Sequence, residues 1–136
     1  MKRQGGQALV EWAVVAFVLL LFAMGILALG QIVGEYAAVR SAASQGAFAA
    51  ARAPSAQSAE VAASRAAQGA VAGSQVQGFA VSVDTAGFQR GGVVTVTTQG
   101  YVSLGAYPIV SQLLGQRFPL IWHSSAVVEP YRSRSS

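Results

Sequence analysis

The chain has 136 residues, of which 53% are hydrophobic and only 10% are charged, whereas roughly 25% of a typical soluble domain is charged. This length and composition fit one small domain joined to a membrane anchor, and they argue against a wholly soluble protein. The net charge of +4 is spread thinly, which disfavours a nucleic-acid-binding surface, and the lack of cysteine excludes disulfides and thiolate metal sites.

A short basic segment precedes an apolar run of membrane length. Residues 1–6, MKRQGG, contain Lys2 and Arg3, and the 23 residues from Trp12 to Gly34 carry no charge. A helix of this length reaches about 34 Å, and about 20 apolar residues are enough to cross the hydrocarbon core of a bilayer. Because the positive residues precede the run, we expect the N-terminus in the cytoplasm and the remainder of the chain outside.

The helix is expected to continue beyond the apolar run. Residues 35–52 are rich in alanine, the best helix former, and the first strong stop signal is Pro54. The pattern therefore predicts one helix from about Gln7 to Arg52, about 70 Å long.

A second helix and a small sheet are predicted in the second half of the chain. The helix runs from about Ser58 to Ala72, with Ser55 or Ser58 as its N-cap. Alternating apolar residues then predict strands around 79–83 and 94–97, joined by a glycine-bearing hairpin connection, and a third strand at 118–128. The segment 108–114 fits either a short helix or a loop. The predicted fold class is α+β: a long hydrophobic transmembrane helix, a second helix, and a small antiparallel sheet.

No group of residues in the sequence points to catalysis, so no catalytic, cofactor-binding or metal-binding residues are predicted. His123 is the only histidine, and the acids Glu60, Asp84 and Glu129 are scattered along the chain. No phosphate-binding loop or nucleophile elbow is present in the sequence. We therefore expect a protein that is not an enzyme and that needs no cofactor.

Gly30 and Gly34 form a G-x-x-x-G pair within the apolar run. Residues four apart lie on one face of a helix, and two glycines there let another helix approach closely. Glycine is also common in membrane helices for other reasons, so the pair has two interpretations: a packing surface, or simple composition.

Glu11 is a lone acid at the entrance of the apolar run. In one interpretation it lies near the start of the membrane helix, where the helix dipole favours a negative charge. In the other, the chain is cut after Gly6. Gln7 then becomes the first residue, and its free amine lies one helical turn from the Glu11 carboxylate.

The opening of the chain, GGQALVEWAVVAFVLLLFAMGILALGQ, resembles the TadE-like family of pilin-like proteins. Such proteins commonly open with R-G-Q-x-L-V-E-F-A followed by leucine-rich sequence. The residues of this chain that match are Gly6, Gln7, Ala8, Leu9, Val10, Glu11 and Ala13, and a weaker similarity extends to about residue 52. The chain departs from the usual pattern at Trp12, Phe17 and Phe48, where the family often has, respectively, another aromatic residue, a proline and an arginine.

The resemblance implies a minor pilin or pseudopilin of a Tad or type IV-like pilus. It implies a leader at 1–6, removed between Gly6 and Gln7, a transmembrane and assembly helix at 7–53, and an extracytoplasmic α+β domain at 54–136. Glu11, Trp12, Gly30 and Gly34 are the expected assembly residues. The implied partners are other pilin subunits, a prepilin peptidase, an inner-membrane assembly platform and, before assembly, membrane lipid. The expected location is the bacterial inner membrane in a single pass, then the cell-surface pilus.

Two alternatives remain open from the sequence. The first is a secreted or membrane-anchored binding domain with an ordinary signal peptide, cut after Gly30 so that Gln31 becomes the first residue. The second is a subunit of a DNA-uptake pilus, in which scattered arginines contact phosphate; the candidates are Arg40, Arg52, Arg65 and Arg90.

Overall fold

The computed structural model describes residues 2–128, and over these residues the chain is an α+β protein, as the sequence predicts. Its elements in chain order are α1 (Lys2–Ala51), α2 (Ala56–Val71), β1 (Gln77–Asp84), β2 (Val93–Ser103), α3 (Pro108–Leu114) and β3 (Arg117–Val127). Residues 129–136 of the predicted outer domain, including Glu129, lie outside the described part of the chain.

Helix α1 is a single helix of 50 residues, about 75 Å long. It ends at Ala51, close to the predicted end, because Pro54 disfavours helical backbone in the residue before it. The predicted start at Gln7 was wrong, since the helix begins at Lys2. Gly5 and Gly6 lower helix propensity by about 1 kcal/mol each, which weakens a helix without ending it when no cap or proline is present.

The C-terminal half of α1 has one buried face made of small residues. Its members are exposed by 1% or less and recur every three or four positions, as expected for one face of a helix; they are Val39, Ala42, Ala43, Ala47 and Ala50. Small side chains allow neighbouring elements to approach the helix backbone closely. This face is therefore where the rest of the domain packs.

Helix α2 packs antiparallel to α1 through alanines spaced by four. Ala59, Ala63 and Ala67 are fully buried, and Ala59 lies with Ala50 in one core cluster. Ser55 is the N-cap: its Oγ accepts a hydrogen bond from Ser58 N at 3.2 Å, and Ser58 Oγ accepts one from Ser55 N at 3.1 Å. This capping box satisfies two backbone donors that the start of a helix leaves free.

The sheet has the order β1-β2-β3 with both pairs antiparallel. The β2 residues that face α1 are fully buried: Val94, Val96, Thr98 and Val102. Thr98 is the one buried polar side chain among the described residues, and its Oγ1 donates a hydrogen bond to Val39 O at 2.9 Å. A buried hydroxyl without a partner would be costly, so this bond also fixes the position of the sheet on α1.

The strands agree with the predicted order; β1 and β2 are longer than predicted, and β3 is shifted by one residue from the predicted 118–128. The hairpin connection between β1 and β2 is present as predicted, and Asp84 Oδ1 accepts a hydrogen bond from Ala86 N at 3.0 Å in its first turn. The segment 108–114, which the sequence left open, is helix α3. Pro119 lies in β3, where the missing N–H is tolerated because β3 is an edge strand.

Two apolar clusters show how the domain is arranged along α1. One contains Ala47 and Ala50 of α1 together with Val94 and Val96 of β2. The other contains Ile32 and Val39 with Val102, Leu104 and Leu120. Strand β2 therefore runs opposite to α1, and the connection from β2 to β3, including α3, lies at the end of the domain nearest the apolar run.

Gly46 is the closest point between α1 and its neighbours. A Cβ added there would lie 3.2 Å from Ala63 O and 3.2 Å from Val96 Cγ1. We expect Gly46→Val to lower the free energy of unfolding of the domain by about 2–3 kcal/mol, because α2 and β2 must both move to admit the larger side chain.

Urea unfolding in detergent micelles, followed by Trp122 fluorescence in a Trp12→Phe background, measures this loss. Gly69→Val is the matched control, because a Cβ at this α2 position meets nothing within 4 Å. Equal unfolding midpoints for the two variants would contradict the close approach at Gly46.

Candidate functional site

The N-terminal half of α1 exposes large apolar side chains around its whole circumference. Trp12 is 71% exposed and Phe22 is 67% exposed, and the other large members of this surface are Leu9, Val10, Val14, Val15, Phe17, Leu19, Leu20, Ile26, Leu27 and Leu29. A helix that is apolar on all sides belongs in the interior of a bilayer or of a helix bundle. We call residues 7–34 of α1 the exposed helix.

Of the helices in the described residues, one, over Gly5–Ala51, is long and apolar enough to cross a membrane. Only 6% of its most apolar window is buried within the chain, so the run is not the core helix of a soluble domain. The described domain packs on α1 from Ala28, which is 1% exposed, onward, and Ile32 belongs to one of its core clusters. The exposed helix thus has the length and composition of a membrane anchor, and none of its residues from 7 to 27 is buried within the chain.

Glu11 projects from the exposed helix within this apolar surface. It lies in the third turn of α1 because the helix starts at Lys2, and the effect of a helix dipole falls off within the first turn. Gln7 is one turn earlier on the same face, and both side chains are exposed. The interpretation of Glu11 as a charge placed at a helix start therefore does not fit the uncut chain.

Gly30 and Gly34 are both exposed, and a Cβ at either position would meet nothing within 4 Å. They lie on the side of α1 away from Ile32, which packs in the domain core. The close-approach surface that these glycines offer is not used within the chain. It is free for a partner helix or for lipid.

Gly46 is the α1 glycine at which other elements of the chain pack closely, and sequence reasoning did not select it. The available signal was the spacing of small residues: positions 39–50 of α1 and 59–67 of α2 each repeat alanine or glycine every three or four residues. The matched surfaces of two such helices bring their backbones together, as the contact between Gly46 and Ala63 shows.

A polar and aromatic belt surrounds α1 where the apolar run ends. Gln31 Nε2 donates to Gln75 Oε1 at 2.9 Å, and Glu35 Oε2 accepts from Gln75 N at 3.0 Å. The Tyr36 and Trp122 rings meet edge to face with centroids 5.5 Å apart. Tyrosine and tryptophan are enriched at membrane–water interfaces, so this belt has the chemistry expected at the point where α1 leaves the bilayer.

In the part of the chain that the structure describes, the remaining titratable side chains do not converge on one place. His123 is on the sheet face away from α1, with Nδ1 2.7 Å from Thr97 Oγ1. Within residues 2–128, no three His, Cys, Asp or Glu residues are placed to hold a metal ion. Arg40 lies over the Trp122 ring, 5.1 Å from its centroid, while Arg65 is on α2 and Arg90 is in the β1–β2 connection.

A family model matches the part of α1 that contains the exposed helix. The family model described as TadE-like protein matches residues 6–47, from the glycine before Gln7 to Ala47 in the buried alanine face. Neither a curated protein nor a solved structure matches the chain. The family match confirms the resemblance seen in the sequence: the N-terminal segment of this chain, over residues 6–47, is TadE-like.

Proposed function

We propose that the protein is a pilin-like structural subunit, a minor pilin or pseudopilin of a Tad or type IV-like pilus. The observation that carries the proposal is that the TadE-like match falls on α1, whose N-terminal half is apolar, exposed and without partners in the chain. A subunit of this kind needs a helix that is stable first in lipid and then among other helices. Both environments require the same apolar circumference.

Processing is the first step of the proposed mechanism. The leader, residues 1–6, is removed by a prepilin peptidase between Gly6 and Gln7. The proposal is supported by the exposure of Gly6 just before the apolar part of α1, and by the positive residues of the leader, which favour a cytoplasmic N-terminus. The transmembrane and assembly helix at 7–53 then remains in the inner membrane, with the domain at 54–136 outside.

Lateral packing of the exposed helix is the second step. The new amine of Gln7 enters a bundle of apolar helices, where an unpaired charge costs on the order of 3 kcal/mol or more. Glu11 is the one acid in the exposed helix, so a neighbouring subunit's Glu11 is the partner available to that amine. Gly30 and Gly34 offer the close-approach surface, and Trp12 is part of the contact between helices.

The assembly platform of the inner membrane then moves the packed subunits outward. No covalent chemistry is required of the subunit after cleavage. The domain supplies the surface that distinguishes this subunit from others in the fibre, and the helix supplies the contacts that they share.

A fractionation experiment tests the proposal. An epitope is placed after Ser136 in cells that carry the complete pilus machinery, and sheared fibres, membranes and medium are compared. We expect the epitope in membranes and on fibres, and in membranes alone when the assembly platform is deleted. Free soluble protein that begins at Gln31 would instead support a secreted domain with a signal peptide.

A further inference from the structure

Helix α3 carries an exposed apolar surface outside the TadE-like segment. Leu113 is 80% exposed, Leu114 is 52% exposed and Ile109 is 37% exposed. The segment from Leu104 to Gln116, which contains α3, has no charged residue. We call Ile109, Leu113 and Leu114 the foot of the domain.

The helix that carries the foot contacts the rest of the domain through a few residues. Next to the foot, the N-cap residue Tyr107 and Val110 of α3 are partly buried and pack against the core cluster that contains Ile32. Leu104 N donates to Gln116 O at 2.8 Å and closes the base of the loop. The exposure of the foot is therefore a property of a packed element and not of a loose loop.

The position of α3 along α1 sets its height relative to a bilayer. Ile32 belongs to this core cluster, and Tyr36 packs on it. These two residues flank Gly34, the last residue of the uncharged run. A span of about 20 residues that ends near Gly34 places this cluster at the membrane surface. The β1–β2 connection is at the other end of the domain, beside Ala47 and Ala50.

We propose that α3 is a second membrane contact, whose foot enters the interfacial region of the outer leaflet while α1 spans the bilayer. The inference rests on the membrane anchoring in the proposed function. A lipid surface fits better than a protein partner because the foot and the C-terminal end of the exposed helix lie at the same level along α1, which is the level of the membrane surface. The aromatic rings of Tyr36 and Trp122 lie at the same level, where interfacial aromatics are usual.

A charged residue follows the foot closely in the sequence, at a position that suits a membrane–water interface. Arg117 is the first charged residue after Arg90, and its guanidinium lies over the Tyr101 ring, 4.8 Å from the centroid. An amphipathic arrangement of this kind lies in the plane of the membrane surface and does not span it. The contact fixes the tilt and rotation of the domain before assembly, and α3 must leave the lipid when the subunit is extracted.

Depth-dependent fluorescence quenching tests the contact. The chain has no cysteine, so a fluorophore can be attached at one introduced thiol in the full-length protein. The labelled positions are Gln112→Cys beside the foot, Leu20→Cys in the exposed helix, and Ala86→Cys in the β1–β2 connection. Each is reconstituted in phosphatidylcholine and phosphatidylglycerol vesicles that contain lipids with a nitroxide near the headgroup.

With the nitroxide near the headgroup, we expect clear quenching at Gln112→Cys and little at Ala86→Cys. With nitroxides placed deeper in the acyl chains, we expect quenching at Leu20→Cys. Adding Leu113→Glu should remove most of the quenching at Gln112→Cys. Adding Gln116→Glu, a matched charge at a polar position, should not. Leu113 is exposed, so the folded domain tolerates this change.

The outcomes separate this inference from the proposed function. Quenching at Leu20→Cys without quenching at Gln112→Cys would overturn the contact of α3 with lipid and leave the anchor in place. Self-crosslinking through Gln112→Cys without lipid quenching would assign the foot to a second copy of the chain. No quenching at Leu20→Cys would overturn the membrane anchor itself, and the inference with it.

Discussion

Replacing Glu11 with alanine is expected to reduce the amount of the protein in sheared pili by on the order of a hundredfold, while insertion and cleavage after Gly6 remain close to normal. Removing one partner of a buried ion pair costs about 3–5 kcal/mol, and each 1.4 kcal/mol is about a factor of ten. Glu11 is exposed in the single chain, so its removal leaves the fold intact. The loss should therefore appear only when subunits pack together.

Conservative replacements of Glu11 separate charge from size. Glu11→Gln keeps the length of the side chain without the charge, and we expect it to assemble almost as poorly as Glu11→Ala. Glu11→Asp keeps the charge on a shorter arm and should restore incorporation in part. Each variant is quantified as the ratio of protein in fibres to processed protein in membranes. A ratio for Glu11→Ala equal to the wild-type ratio would show that Glu11 is only an interfacial charge.

Gly6→Lys is expected to abolish processing, so that all of the protein in membranes keeps the mass of the full precursor. The proposed peptidase must bind the residue before the cleaved bond closely, and a long charged side chain at that position prevents this. Gly6→Ala is the matched control, because it adds one methyl group where a Cβ meets nothing within 4 Å. We expect Gly6→Ala to be cut at the same bond.

The uncut Gly6→Lys protein is also expected to be absent from sheared fibres. Because the leader is not removed, no free amine forms on Gln7. The pairing of that amine with Glu11 of a neighbouring subunit is therefore lost. Intact mass and N-terminal sequencing of the membrane fraction check the cleavage. A mature protein that begins at Gln7 in the Gly6→Lys variant, or at Gln31 in the wild type, would contradict the assigned site.

The element order could be predicted because local signals agreed with the final packing. Alternation around Val81 and Val96 predicts strands in a half-buried sheet, and these side chains do lie on the sheet face that packs against the helices. The start of α1 could not be placed, since glycines at 5 and 6 weaken a helix without ending it. The segment 108–114 was ambiguous because Pro108 suits both a loop and the first turn of a helix.

The contacts that position the candidate site were less accessible from sequence. The pair Tyr36 and Trp122, and the bond from Gln75 N to Glu35, join residues far apart in the chain, and no local pattern predicts them. The exposed helix was predictable because a long uncharged apolar run is a local signal that does not depend on contacts with the rest of the chain. Gly30 and Gly34 are correctly placed on its surface, although their use by another helix remains a prediction.

Helix α1 has no break between Glu11 and Gly46, so one rigid rod joins the proposed assembly contact to the core of the domain. These two residues are about 52 Å apart along the axis, and each residue between them turns the helix by about 100°. The number of residues in this interval therefore sets the rotation of the domain about the helix axis, and with it the direction in which each domain points around the fibre axis. Removing one residue would rotate every domain by about a quarter turn or more, with all local contacts of the domain unchanged.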